Sequence, residues 1–173
     1  RAGRHRPIVV NHLGVLHADI GYFSKSRHFE TPPTFQAGYL IAKDVLSRFI
    51  YAVILRGAKK AETLIKAFEE LLKQHQAQFG SDGHRIASIS FDREPGIMSH
   101  KVQSYLSEKK IQFHAFDYSV SKAKAAEGAI QLLRTTMTRM LAPLDESKRK
   151  WWLHLAVCVA SLNDSSIVLS LIH

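Results

Sequence analysis

Three carboxylates stand apart from the other acidic residues by position. Asp19 follows the apolar run GVLHA inside an extended segment, Asp92 closes a second extended segment before the turn-like REPG, and Glu127 lies in the first turns of a long helical pattern. Carboxylate oxygens are the hard donors that magnesium prefers, and such a site keeps open positions for water and substrate. Two such ions about 3.5–4 Å apart clamp an in-line phosphoryl displacement, one at the attacking oxygen and one at the leaving oxygen. Two Asp and one Glu from different elements can supply that clamp. Singly, each residue also has a plain structural reading: a strand-end cap for Asp19, a turn former for Asp92 and a solvated helix residue for Glu127. Jointly they favour a site, because strand ends and helix starts converge on one crevice in an open α/β sheet.

The elements that must bring them together follow from periodicity. Val9 to Phe23 is extended, with Leu13, Val15, His17 and Asp19 on one face and Leu16 and Ile20 on the other. The polar stretch from Ser24 to Thr34 holds Pro32-Pro33 and is a loop. Gly38 to Val45 and Arg48 to Leu55 are two apolar runs a few residues apart, the pattern of an antiparallel hairpin. Ala61, Leu64, Ile65, Phe68, Leu71, Leu72, His75 and Phe79 then follow helical spacing, with Gly80 placed as a C-cap. Arg85 to Phe91 and Ile111 to Phe116 are the fourth and fifth strands, around a short helix from Ser99 to Lys109. Two helices finish the chain, one over about Lys122 to Leu141 and one from near Asp145 to about Leu162. In the first, Ala126, Ile130, Leu133, Met137 and Leu141 fall on one stripe at about 100° per residue. Glu127, Gln131 and Arg134 share the neighbouring face, so Glu127 borders the core and can look sideways into a crevice. The order predicts an α/β protein with a five-stranded mixed sheet flanked by helices, an order found in the ribonuclease H-like fold.

Composition narrows the function classes. The 173 residues fit one domain, read as a basic arm over residues 1–10 and a core over 11–173. Lys and Arg outnumber Asp and Glu by 24 to 15, and the net charge of +9 favours anionic partners, nucleic acid first. A single cysteine, Cys158, excludes an internal disulfide framework and a multi-cysteine zinc finger; among Ala, Val and Leu it reads as a small buried hydrophobe. The apolar runs are too short for a membrane span. His17, His100 and His114 read as satisfied structural histidines. Of Trp151 and Trp152, one is expected in the core and one at the surface. Asp44 and Glu94 are the carboxylates to consider if the ligand set is wrong.

The motifs resemble those of the catalytic core of retroviral and retrotransposon integrases, the D,D,E strand transferases, with the long-terminal-repeat retrotransposon and Maverick-like branches the nearest look-alikes. LHADIGYF resembles the segment bearing the first Asp, KDVLSRFIYAVIL the second and third strands, ISFDREPGIMS the stretch bearing the second Asp, KAKAAEGAIQLLRTTM the helix bearing the Glu, and WWLHLAVCVASLND the helix after it. The 34 residues between Asp92 and Glu127 are one short of the family's usual interval. The likeness runs from about Val15 to Asp164. The chain departs from it at Glu94-Pro95, at Gly128-Ala129 and in a longer Ser24–Thr34 loop. The resemblance implies that Asp19, Asp92 and Glu127 ligate two Mg²⁺ (or Mn²⁺) ions. It implies that Lys122, Lys124, Gln131 and Arg134 touch DNA, with Tyr118 and Ser119 from the loop before the helix. It further implies a DNA integrase core acting in the nucleus on double-stranded DNA, processing the 3′ ends of an element and transferring them into target DNA. A homo-oligomer is implied too, through helices 60–79 and 147–163. The alternatives are a ribonuclease H-like nuclease without strand transfer, and a domesticated, inactive core that binds DNA or assembles partners.

Overall fold

The computed structural model describes residues 12–23, 29–30, 32–33, 36–58, 60–80, 84–92, 96–116 and 124–170. Five strands, β1 (Val15–Gly21), β2 (Gln36–Asp44), β3 (Ile50–Arg56), β4 (Ser88–Asp92) and β5 (Gln112–Phe116), form one sheet in the order β3-β2-β1-β4-β5. β1, β2 and β3 run antiparallel in turn, and β4 and β5 lie parallel to β1. This is the expected mixed sheet. Four helices flank it: α1 (Ala61–Phe79), α2 (His100–Glu108), α3 (Lys124–Leu141) and α4 (Trp151–Ser170).

Strand alternation divides the core in two. Leu16, Ala18 and Ile20 of β1 join Leu40, Ala42, Tyr51, Leu55, Ile89 and Phe91 beneath α1 and α2, where Leu64, Phe68, Leu71, Val102 and Leu106 are buried. The opposite face of the sheet meets α3 and α4 through Tyr39, Ile41, Ile50, Leu133, Met137, Trp151 and Leu155. Asp19 is on this second face, because it alternates with Ala18 and Ile20. α3 lies against β1 and β2, and α4 against α3 and β3.

Two details of the connections matter for the site. The β2–β3 turn is built on Asp44, which is buried. Its Oδ1 accepts from the Leu46 and Ser47 amides at 3.0 and 2.7 Å and from the Ser47 hydroxyl at 3.0 Å. Its Oδ2 accepts from Gly14 N at 2.7 Å, which ties the turn to the start of β1. Gly14 has a φ of 87°, and a Cβ there would strike the Arg85 carbonyl, so only glycine fits this junction. Asp44 is thus a structural residue.

Two expectations about the last helix need correction. The last helix begins at Trp151, not near Asp145, because a 3-10 turn over Glu146–Lys148 comes first. The Arg149 side chain then folds back and donates to the Leu144 and Ala142 carbonyls at 2.9 and 3.3 Å, which occupies groups just past the end of α3. The helix also runs on to Ser170 rather than stopping near Leu162. Gly80 is the C-cap of α1 as expected, with a right-handed φ of −68° and its N–H donating to the Gln76 carbonyl.

Candidate active site

Asp19 and Asp92 occupy matching places on adjacent parallel strands. The register pairs His17 with Ser90 and Ala18 with Phe91, and the two aspartates are the next residues on each strand. Side chains at matching positions of parallel strands point to the same face, and neighbouring strands run about 4.8 Å apart. Both aspartates are half-buried. They stand at the carboxyl ends of β1 and β4, where an open sheet forms its crevice. Asp19 Oδ1 accepts from the Ile20 amide at 2.7 Å.

Glu127 is in the first turn of α3 and is half-buried, beside the fully buried Ala126. The buried stripe of the helix is Ala126, Ala129, Leu133, Met137 and Leu141, which sets Glu127 at its border as expected; Ile130 is only half-buried. The structure nonetheless does not gather all three carboxylates into one cage. Among the described residues, no group of three or more His, Cys, Asp or Glu side chains is placed to hold a metal ion. The strand register sets the two aspartates side by side, and Glu127 lies in the first turn of α3, the helix packed against β1 and β2. The donor set is all carboxylate oxygen, the chemistry that suits Mg²⁺ or Mn²⁺ rather than a thiophilic metal.

The floor of the site is aromatic. His17, one pleat before Asp19 on the same face, meets Phe116 of β5 edge-on, with ring centroids 5.4 Å apart. The two rings come together above β4, where the small Ser88 and Ser90 share that face with Asp92. His17 is buried, and its Nδ1 has no hydrogen-bond partner among the described residues, unlike the satisfied histidine expected. Burial lowers its pKa, and the ring is neutral at physiological pH. His100 and His114 are exposed; His100 Nδ1 lies 3.3 Å from the Ser104 hydroxyl. Lys43, opposite His17 on β2, is half-buried, and burial together with Arg48 lowers its pKa.

The expected DNA contacts divide. Gln131 and Arg134 are exposed on α3, in line with Glu127. Arg134 is not wholly free for phosphate, since its Nη2 donates to the Tyr22 carbonyl at 2.8 Å and so holds α3 to the end of β1. Lys124 opens α3. Lys122, Tyr118, Ser119, Glu94, Pro95 and the arm over residues 1–10 lie outside the described residues. Two functional neighbours were not foreseen. Tyr39 stands across from Gly21, in electrostatic reach of both Asp19 and Arg134. Asn163 of α4 grips β3: its Oδ1 accepts from Ile50 N at 2.8 Å and its Nδ2 donates to Ile50 O at 2.9 Å. Both roles depend on strand register and helix docking, which leave no local sequence signal.

No protein-family model and no curated protein matches the sequence. The likeness to known proteins is structural. The chain aligns with a chain of the simian T-cell lymphotropic virus intasome in complex with PP2A regulatory subunit B56 gamma, at TM-score 0.62 and 18% identity over 92% of this chain. It spans 50% of that chain. Against the HTLV-2 integrase catalytic core domain in complex with magnesium, in its dimeric form, the TM-score is 0.63 at 12% identity, covering 89% of this chain and 87% of that one. Against the BIV integrase catalytic core domain it is 0.60 at 11% identity, covering 86% and 82%. At these identities the shared property is architecture: the protein has the mixed-sheet, ribonuclease H-like fold of retroviral integrase catalytic cores.

Proposed function

We propose that this chain is the catalytic core of a DNA integrase, a polynucleotidyl transferase that acts on phosphodiesters at the carboxyl ends of β1 and β4. The observation that carries the reading is the pairing of Asp19 and Asp92 at the same step of adjacent parallel strands, on the face packed by the helix that bears Glu127. These three carboxylates would hold Mg²⁺ or Mn²⁺, and such ions, when bound, supply activation of the attacking oxygen and stabilisation of the leaving one. The magnesium complex of the HTLV-2 core, which shares the fold, supports that choice of ion. Lys124, Gln131 and Arg134 of α3 would receive the DNA backbone, together with Lys122, Tyr118 and Ser119, which precede the helix in sequence. The +9 net charge supports a polyanionic substrate. The proposed reactions are 3′-end processing and strand transfer into double-stranded target DNA, in the nucleus.

A second copy of the chain completes the proposal. β3, α1 and α4 enclose an open groove of about 560 Å³ lined by Ala52, Ile54, Lys66, Gln74, Trp152 and Leu153, with Val157 exposed beside Leu153 on α4. We assign this face to a homo-oligomer. The HTLV-2 core is found in dimeric and trimeric forms.

The absence of a three-carboxylate cage among the described residues favours one second reading: a core that binds DNA or assembles partners without cutting. The test is metal-dependent nicking and strand transfer on a labelled duplex, with Asp92→Asn and Glu127→Gln beside the parent chain. The integrase reading expects activity with Mg²⁺ or Mn²⁺ that both substitutions abolish while the melting temperature stays within a few degrees. Nicking without joining would identify a nuclease. Binding without either reaction would leave the assembly role.

A further inference from the structure

The Tyr39 side chain is fully buried, and its hydroxyl makes no well-aligned hydrogen bond among the described residues, the Arg134 guanidinium lying close enough to donate only weakly. A buried hydroxyl left unpaired lowers stability. Phenylalanine would pack equally well in the aromatic cluster around it, where Phe23 lies 5.1 Å and Trp151 5.8 Å away between ring centroids. The surroundings show where the hydroxyl sits. Gly21 is the cross-strand neighbour of Tyr39 and stands two residues past Asp19 on the same face of β1. A Cβ at Gly21 would fall onto the Cζ and Oη atoms of Tyr39, so the phenol tip lies directly over that glycine. Burial pushes the phenol pKa up to about 12, with Arg134 opposing that rise and Asp19 adding to it, so both charges reach the hydroxyl. Arg134 in turn donates to the carbonyl of Tyr22, the residue next to Gly21.

We propose that Tyr39 and Arg134 form a positioning pair for the Asp19 carboxylate. Arg134 pins the helix of Glu127 to the strand of Asp19, and the Tyr39 O–H is the donor that orients Asp19 when its carboxylate turns to take a divalent cation. The inference rests on the metal-site reading above and deepens it. Groups that hydrogen-bond a metal-binding carboxylate fix its geometry, and their loss weakens metal affinity about 10–100-fold. Gly21 belongs to the same device, because any larger residue displaces the phenol.

Mn²⁺ binding to the whole chain, measured by calorimetry in parallel with thermal melting, tests this. Tyr39→Phe should bind Mn²⁺ about 10-fold more weakly while melting at nearly the same temperature, since the buried hydroxyl it removes makes no well-aligned hydrogen bond. Arg134→Met should also weaken binding, and Arg134→Lys should restore part of it. Unchanged Mn²⁺ affinity in Tyr39→Phe overturns the proposal, and if that variant fails to fold, unchanged affinity in Arg134→Met does so. Asp19→Asn separates the two levels. If it abolishes binding while Tyr39→Phe does not alter it, only the positioning role fails. If Asp19→Asn binds as the parent does, the metal site itself is refuted.

Discussion

Two aspartates, Asp19 and Asp44, differ in burial and in bonding. Asp44 accepts four hydrogen bonds, three within its own turn and one from Gly14, and is almost inaccessible. Asp44→Ala should therefore strand buried amides and cost about 2–3 kcal/mol in urea unfolding, while Mn²⁺ affinity of the folded fraction stays the same. A second residue-level prediction concerns His75. It is buried in α1, and its Nδ1 lies 2.8 Å from the Tyr51 hydroxyl. Burial lowers its pKa, reinforced by His84 and opposed by the Asp44 carboxylate and the His84 backbone. Unfolding frees the ring to take a proton near pH 6.5. Since the unfolded chain then binds more protons, stability is fully present above about pH 6.5 and falls as pH drops toward the lower folded value. His75→Asn should remove part of that fall when urea midpoints are compared between pH 7.5 and 5.5. Identical pH dependence in the two proteins would show that the His75 pKa does not change on folding.

At the scale of elements, the sheet edge shows what patterning can and cannot reveal. β3 is an outer strand, and its first residue exchanges both backbone groups with the Asn163 amide rather than with another strand. Asn163→Leu should cost about 2 kcal/mol, through two buried backbone groups left unpaired, and should loosen α4 from β3. Faster amide exchange at Ile50 is the check; an unchanged rate there would mean that the edge does not depend on Asn163. The five strands, the sides taken by His17 and Asp19, and the buried stripe of α3 were legible because they follow periods of two and 3.6 residues. The start of α4 was not, because a 3-10 turn and the return of the Arg149 side chain decide it, and neither has a periodic signal. The same limit applies to the site. Asp19, Asp92 and Glu127 could be picked out by type and element, but Tyr39 could not. Its relation to Asp19 exists only through the pairing of Gly21 with Tyr39, a fact of register across 18 residues of chain.

For the whole molecule, the separation of two surfaces is the main consequence of the fold. The carboxylates stand at the carboxyl ends of the inner strands β1 and β4, and α4 lies toward the edge strand β3. Assembly through α4 would therefore leave the carboxylate end open to DNA. Leu153 is 67% exposed and Val157 61%, one turn apart on the same side of the helix, with Trp152 and Leu155 in the adjoining groove. Across a two-fold axis these two positions contribute four side chains. About a third of each is already covered, so further burial supplies about 1 kcal/mol apiece, or about 4 kcal/mol in total. That corresponds to about three decades in dissociation constant. The double substitution Leu153→Glu with Val157→Glu removes this contribution and places four carboxylates against one another. Sedimentation equilibrium should show a parent chain that self-associates and a variant that is monomeric at the same concentration. Thermal melting of the variant monomer should be little changed, because neither side chain is part of the core. Assembly that survives both substitutions would move the interface away from α4.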